Sequence, residues 1–192
     1  MDAVLVAPPQ VSGVNEVGPL RRDLGDEAVV ALMARHILRG ARPRFFYGQQ
    51  YMGSLDAYLS APIYLLAGPS VLTLNLVPLL CSLGALAVSG LYLKKVLGRP
   101  GFFLGFLYLA LPPALWLYWA AEARSYYPVA LLLSALLMGL SFQAGSGNRS
   151  SPGLIFFVWG LVAGMAFWTN FLTGVVIGGC FLFLGLRLGK RV

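Results

Sequence analysis

Polar and apolar positions divide this chain into three unequal parts. Residues 1–24 hold Pro8, Pro9, Gly13, Gly18 and Pro19 and no sustained apolar run, which predicts an irregular head with no signal peptide in it. Order begins at Gly25. Asp26 and Glu27 fall where a helix would start, favoured by the positive end of its dipole. Val29, Leu32, Met33 and Ile37 then recur at helical spacing, with Arg35 and Arg39 four apart and Gly40 as the stop. The pattern predicts an amphipathic helix of about three turns, too short to cross a bilayer but suited to lying along one with its arginines at headgroup level. A second apolar run, residues 55–67, is interrupted by Asp56 and Pro62. It is also shorter than the roughly 20 residues a crossing needs, so it predicts another interfacial or re-entrant helix, ended by Gly68-Pro69-Ser70.

From residue 71 the periodicity gives way to long apolar runs. Residues 71–93 form the clearest transmembrane helix, stopped by Lys94, Lys95, Gly98, Arg99 and Pro100. Residues 101–143 are apolar over about twice the length of a single crossing. Glu122 and Arg124 are the only charges in that run. A charge at mid-bilayer costs about 2.5 to 3.5 kcal/mol, so the turn is expected there, after Pro112 and Pro113, with Pro128 in the first turn of the next helix. Residues 144–152 make a small polar loop; its Asn148-Arg149-Ser150 sequon is a short motif frequent by chance. Residues 153–188 hold a further pair of helices with a turn at Trp168-Thr169-Asn170. The expected fold is all-α: a polytopic membrane protein with about five transmembrane helices and two short interfacial ones. It divides into an irregular head (1–24), a polar segment with the acid pair (25–70) and a transmembrane bundle (71–192).

Composition agrees with this. The 192 residues are 58% hydrophobic and 11% charged, with a mean hydropathy of +0.77. Soluble domains are nearer a quarter charged. The net charge of +7 comes from short basic clusters at the ends of apolar runs, as membrane proteins use them, and not from a nucleic-acid-binding patch. Cys81 and Cys180 both lie inside apolar segments and make neither a metal spacing nor a disulfide pattern.

Alternating sides at each crossing divides the 14 Lys and Arg equally between the two faces, while all seven Asp and Glu fall on the face that carries the head. The purely basic face is read as cytoplasmic, and the acid-bearing face as the outer side of a prokaryotic plasma membrane. On that face converge Asp26, Glu27, Glu122, Arg124, Trp168, Thr169 and Asn170, with the aromatic and amide loop Phe45, Phe46, Tyr47, Gln49, Gln50 and Tyr51. Acids, a cation, amides and flat rings at a membrane surface suit a sugar attached to a phosphate. Moving that sugar needs a base for the acceptor hydroxyl, a cation for the departing phosphate and polar or aromatic groups for the ring. Asp26 and Glu27 are the candidate base and its neighbour. Arg124, Arg35 and Arg39 are the candidate phosphate ligands, and Tyr47, Gln49, Gln50, Tyr51, Glu122 and Asn170 the candidate substrate contacts.

Spacing alone also allows plainer roles. Asp26 and Glu27 serve as a helix cap and first-turn acid, Glu122 and Arg124 as a solvated turn, and the tyrosines and tryptophans as an interfacial belt. Arg35 and Arg39 serve as lipid anchors. His36, the single histidine, is expected to have no catalytic or metal role.

The order of motifs carries a resemblance. Gly25-Asp26-Glu27 opens a helix, then come Tyr47-Gly48-Gln49-Gln50-Tyr51-Met52-Gly53-Ser54-Leu55 with Tyr58, Gly68-Pro69-Ser70, Leu111-Pro112-Pro113, Glu122-Ala123-Arg124-Ser125-Tyr126 and Phe167-Trp168-Thr169-Asn170. This set resembles the N-terminal part of membrane glycosyltransferases of the GT-C superfamily, on the branch similar to dolichyl-phosphate-mannose protein mannosyltransferases. The resemblance implies an inverting transferase with a polyprenyl-phosphate-linked sugar as donor, and Asp26 as general base. It implies no cofactor and no tightly bound metal; a relative acting on oligosaccharides would want a divalent cation, with Asp26 and Glu122 as ligands. Members of that branch carry a transmembrane helix ahead of the acid pair and further spans beyond, so this chain is expected to be a fragment. Where several branches have a Lys-Pro-Pro-like segment this chain has Gln49-Gln50-Tyr51, which leaves the donor sugar open. The expected partners are the lipid-linked sugar, membrane lipids and an acceptor, without nucleic acid. The alternative is a non-catalytic multi-pass subunit or transporter fragment, with Glu122 and Arg124 lining a pathway.

Overall fold

A computed structural model describes residues 24–111, 126–146 and 152–189. The expectations for the head, for Pro112, Pro113, Trp116, Trp119, Glu122 and Arg124, and for the sequon loop lie outside these residues. The described residues form six helices and one two-stranded antiparallel hairpin. In order they are α1 (Leu24–Leu38), β1 (Phe45–Phe46), β2 (Gln49–Gly53), α2 (Leu55–Ala67), α3 (Val71–Ala110), α4 (Tyr126–Ser146), α5 (Pro152–Thr169) and α6 (Thr173–Gly189).

The acids Asp26 and Glu27 occupy the first turn of α1. Its end is closed by backbone bonds from Gly40 N–H to the Ile37 carbonyl (2.9 Å) and from Ala41 N–H to the His36 carbonyl (2.9 Å), the pairing that lets a glycine finish a helix. The apolar stripe of α1 is not turned to lipid, as its amphipathicity predicts. Val30, Met33 and Ala34 are fully buried in a cluster with Phe46, Met52, Ala57, Ala61, Tyr64 and Leu74. Protein therefore takes most of the face that a bilayer was expected to take, with Val29 and Ile37 partly buried and Leu32 still 47% exposed.

The aromatic and amide stretch expected to be a loop is instead a hairpin, with Phe46 opposite Gln49, Phe45 opposite Gly53 and an irregularity between the two phenylalanines. Gly48, at φ 82°, sits in its reversal. Residue types that favour strands flank a Tyr-Gly pair, and the buried Phe46 and Met52 give the hairpin an inner side.

α2 has the expected bounds. Asp56, Ala57, Ser60, Ala61 and Tyr64 form its buried stripe. The turn into α3 is fixed by a reciprocal cap: Thr73 N–H donates to Ser70 Oγ (3.1 Å) and Ser70 N–H donates to Thr73 Oγ1 (2.9 Å).

α3 is helical on both sides of Gly98, whose φ of 70° and ψ of −169° reverse the chain. The second arm folds back on the first: Phe106 lies over Gly90, and Leu93 lies over Gly105. This is the stop and restart predicted around Lys94 to Pro100. α4 runs alongside the first arm in the same direction, Leu132 against Gly84, Val88 near Gly139, and the Tyr92 and Phe142 rings edge to face at 5.2 Å. α5 returns antiparallel, locked where Trp159 Nε1–H donates to Ser141 Oγ (2.8 Å). α6 turns again, bringing Phe183 and Arg187 to Gly145.

Two helices are long and apolar enough to cross a membrane, α3 and α4; α2, α5 and α6 are shorter. In those two, only 33% and 44% of the most apolar window is buried inside the protein. The core helix of a soluble protein would be mostly buried, so the exposed apolar surface favours a membrane reading.

The hairpin is pressed against the end of α5. Met52 bridges Asn170, Trp168 Nε1–H donates to the Arg44 carbonyl (3.1 Å), and a Cβ on Gly53 would lie 2.7 Å from the Trp168 carbonyl oxygen and 2.9 Å from its ring. Gly53→Ala is therefore expected to destabilise the protein by about 1–3 kcal/mol. Gly160→Ala, whose added carbon meets open space, gains up to about 1 kcal/mol in helix propensity. Unfolding of both variants in detergent measures the difference; equal stabilities would mean that the hairpin is not held on Trp168.

Candidate functional site

Glu27, Ala28, Ala31 and Arg35 fall on one side of α1 at i, i+1, i+4 and i+8. Facing them are Tyr64 of α2, Pro69 and Ser70 of the α2–α3 turn, and Val71 and Leu74 of α3; together they line an open cavity of about 330 Å³. Ala28 and Ala31 leave the space that larger residues would fill. Glu27 sits at the positive end of the α1 dipole and Arg35 in its last turn, so each charge is placed where the helix favours it. The Ser70–Thr73 cap holds the opposite wall.

Tyr64 is buried, and burial raises its hydroxyl above the ordinary tyrosine value, while the nearby Arg35 guanidinium pulls it back only in part. A neutral phenol and a guanidinium thus share the cavity at neutral pH. Arginine is the cation suited to a phosphate, and a carboxylate with a phenol suits sugar hydroxyls.

The predicted residues separate into two groups. Glu27 and Arg35 meet in the cavity. Asp26, a residue away on the helix and half-buried, is not among its lining, and Arg39 is exposed beyond it. Tyr47, Gln49, Gln50 and Tyr51 belong to the hairpin. Tyr47 Oη is hydrogen-bonded to His36 Nδ1 (3.2 Å), and Tyr51 packs edge-on to Phe171 at 6.2 Å.

Asn170, expected to contact substrate, is buried and used to hold the α5–α6 turn. Its Oδ1 accepts the Leu172 N–H (3.0 Å), its carbonyl accepts the Thr173 hydroxyl (2.8 Å), and its backbone bridges Met52. Glu122 and Arg124 are outside the described residues. No group of three or more His, Cys, Asp or Glu converges among the described residues.

Sequence reasoning passed over Tyr64 and Ser70, which line the cavity, because each reads as an ordinary helix or turn residue. It used Asp56 to shorten an apolar run and as one of the acids on the outer face, and gave it no role in the site. Asp56 is 1% exposed in the first turn of α2, beside Ala57 of the cluster under α1 and within electrostatic reach of Cys81 in the bundle. An acid inside an apolar run was the available signal.

Comparison with protein-family models, with characterised proteins and with solved structures returns no match.

The Tyr64 environment has a pH consequence. The folded protein keeps this phenol protonated to higher pH than the unfolded chain does. The contribution is constant below the ordinary value of 10.0 and is lost as pH rises past it, because the unfolded state gives up the proton first. Wild-type stability is expected to fall faster above about pH 10 than that of Tyr64→Phe. Denaturant titrations of both between pH 9 and 11 check it, and parallel curves would remove the effect.

Proposed function

We propose that this chain is a membrane-embedded inverting glycosyltransferase, or a fragment of one, that takes its sugar from a polyprenyl-phosphate carrier. The observation that carries the reading is the cavity in which Glu27 and Arg35 face Tyr64, at one end of a bundle whose outer surface is apolar. The ordered motifs from Gly25 to Asn170 support it as a resemblance.

In this reading the first arm of α3, with α4, α5 and α6, crosses a prokaryotic plasma membrane, the shorter second arm of α3 begins a fifth crossing, and α1, the hairpin and α2 lie on the outer face. Lys94, Lys95, Arg99 and Arg187 then lie at the cytoplasmic end. The opposite arrangement of the two ends supports this: Tyr126, at the start of α4, packs against the cluster under α1, whereas Gly145, near its end, meets Arg187.

The acceptor hydroxyl attacks the anomeric carbon while the bond from that carbon to the phosphate oxygen breaks. A carboxylate of the acid pair takes the hydroxyl proton, and the polyprenyl phosphate leaves with the bonding electrons, its charge met by Arg35. The resemblance gives the base role to Asp26; Glu27, which lines the cavity with Arg35, orients sugar hydroxyls of the donor in this reading.

Two outcomes are expected. In vesicles containing a polyprenyl-phosphate sugar, Asp26→Asn lowers transfer by about 10²- to 10⁴-fold without loss of insertion; near-normal turnover would remove Asp26 from the mechanism. With Cys81 and Cys180 replaced by Ala, a cysteine at exposed Gln50 labels in intact cells with an impermeant thiol reagent, and one at exposed Ser146 labels only after lysis. Labelling of both from the same side would dismantle the assembled site and leave a non-catalytic membrane subunit.

A further inference from the structure

Between Glu27 and Asp56 the chain carries four arginines, Arg35, Arg39, Arg42 and Arg44, and no acid. All four are exposed. Arg35 lines the cavity; the other three do not. These three lie in the link between α1 and the hairpin, and that link is held at both ends of its Pro43-Arg44 pair. Ser54 Oγ–H donates to the Pro43 carbonyl (2.6 Å), and Trp168 Nε1–H donates to the Arg44 carbonyl (3.1 Å). Trp168 is in the last turn of α5 and α6 starts at Thr173, so the Arg44 backbone lies level with the ends of two apolar helices.

Exposed apolar, aromatic and basic residues come together near this level. Phe167 and Val175, on the helices themselves, are 56% and 80% exposed. Tyr51 and Phe171, packed edge to face, are 62% and 52% exposed. The exposed arginines lie on the segment that Trp168 holds at this level. Exposed apolar residues, aromatic rings and guanidinium groups at one end of apolar helices match the acyl chains, the interface and the phosphates that a bilayer presents. An arginine row without the apolar surface below it would fit any polyanion. The continuity of the two restricts the fit to an amphiphile with a phosphate head.

We infer that Arg39, Arg42 and Arg44, with the Tyr51–Phe171 ledge, form a binding site for anionic phospholipid of the surrounding leaflet, separate from the Glu27–Arg35 cavity. The lipid seats its phosphodiester on the arginines and its chains along Phe167 and Val175. Its attraction holds α1 and the hairpin down at the membrane surface, the orientation in which the cavity opens at headgroup level. The site does not depend on the transferase reading, and its test involves no transfer.

The protein is reconstituted in vesicles of phosphatidylcholine mixed with phosphatidylglycerol and extracted gently, and the lipid retained on it is quantified by mass spectrometry. Wild type is expected to retain phosphatidylglycerol in excess of its share of the vesicle, and less of it at high salt. The triple variant Arg39→Gln, Arg42→Gln, Arg44→Gln loses that enrichment, by about fivefold for each charge removed, while the corresponding triple lysine variant keeps most of it. Because the three side chains are exposed, helicity by circular dichroism stays at the wild-type level. Retention of the two lipids in proportion to the vesicle would overturn the proposal. So would equal loss in Lys94→Gln, Lys95→Gln at the other end of the bundle, or displacement of the lipid by inorganic phosphate alone.

Discussion

The contact between Gly53 and Trp168 is the constraint on which the remaining architecture depends. α1, the hairpin and α2 form one packed unit; the arms of α3 with α4, α5 and α6 form another. The α2–α3 turn joins them in sequence, but a single capped turn fixes only one point. The second point is the hairpin on the end of α5, where a backbone without a side chain lets the indole lie directly against Gly53 and donate its N–H to the Arg44 carbonyl. These anchors, with Tyr126 packed on the cluster under α1 and Leu55 and Ile63 on that of the bundle, keep the first unit from pivoting on Ser70. The cavity wall made by α1 therefore stays opposite the wall made by Tyr64, Ser70 and Val71.

The two units are held together by different physics. The cluster of Val30, Met33, Ala34, Phe46, Met52 and Ala57 removes apolar side chains from water, the ordinary driving force of a soluble core. The bundle has little such force if lipid surrounds it, because exposed leucines there lose nothing by staying exposed. Its contacts are of the kind that remains: glycines that allow close approach, as Gly84 under Leu132 and Gly145 under Phe183, and the chain of bonds from Trp159 Nε1–H to Ser141 Oγ and from Ser141 Oγ–H to the Leu137 carbonyl. Leu74 belongs to the first cluster and Val77, a turn further along α3, to the second. The boundary between the two regimes is thus a single helical turn wide, and Asp56 is buried beside it.

What could be read from the sequence follows from this division. Helix ends set by local chemistry were legible: the acids in the first turn of α1, the Gly40 stop, both bounds of α2, the Ser70 start and the reversal at Gly98. The hairpin was not, because its strands are short and its pairing is stabilised by docking on a residue more than a hundred positions away. The lining of the cavity was legible in part. Glu27 and Arg35 announce themselves by charge, whereas Tyr64 acquires its role only when α1 is laid across α2. Asn170 was assigned to substrate on its amide; tertiary context uses that amide to terminate one helix and start the next.

The same reasoning bears on how far the acid pair can act as a pair. Consecutive residues on a helix point about 100° apart, as the pitch of 3.6 residues per turn requires. If Glu27 faces the cavity, Asp26 cannot face it equally from the same backbone. A ligand shared by the two acids would have to reach around the first turn of α1, presenting to Asp26 a different part from the one it presents beside Arg35. In the reading proposed above, a lipid-linked sugar together with its acceptor would meet that condition, with the donor's phosphate and ring and the acceptor's attacking hydroxyl set in sequence. Had both acids faced one point, a metal ion or a small anion-free substrate would fit better. The angular separation of Asp26 from Glu27 and Arg35 thus favours an extended ligand that crosses the helix end over a compact one held inside the cavity.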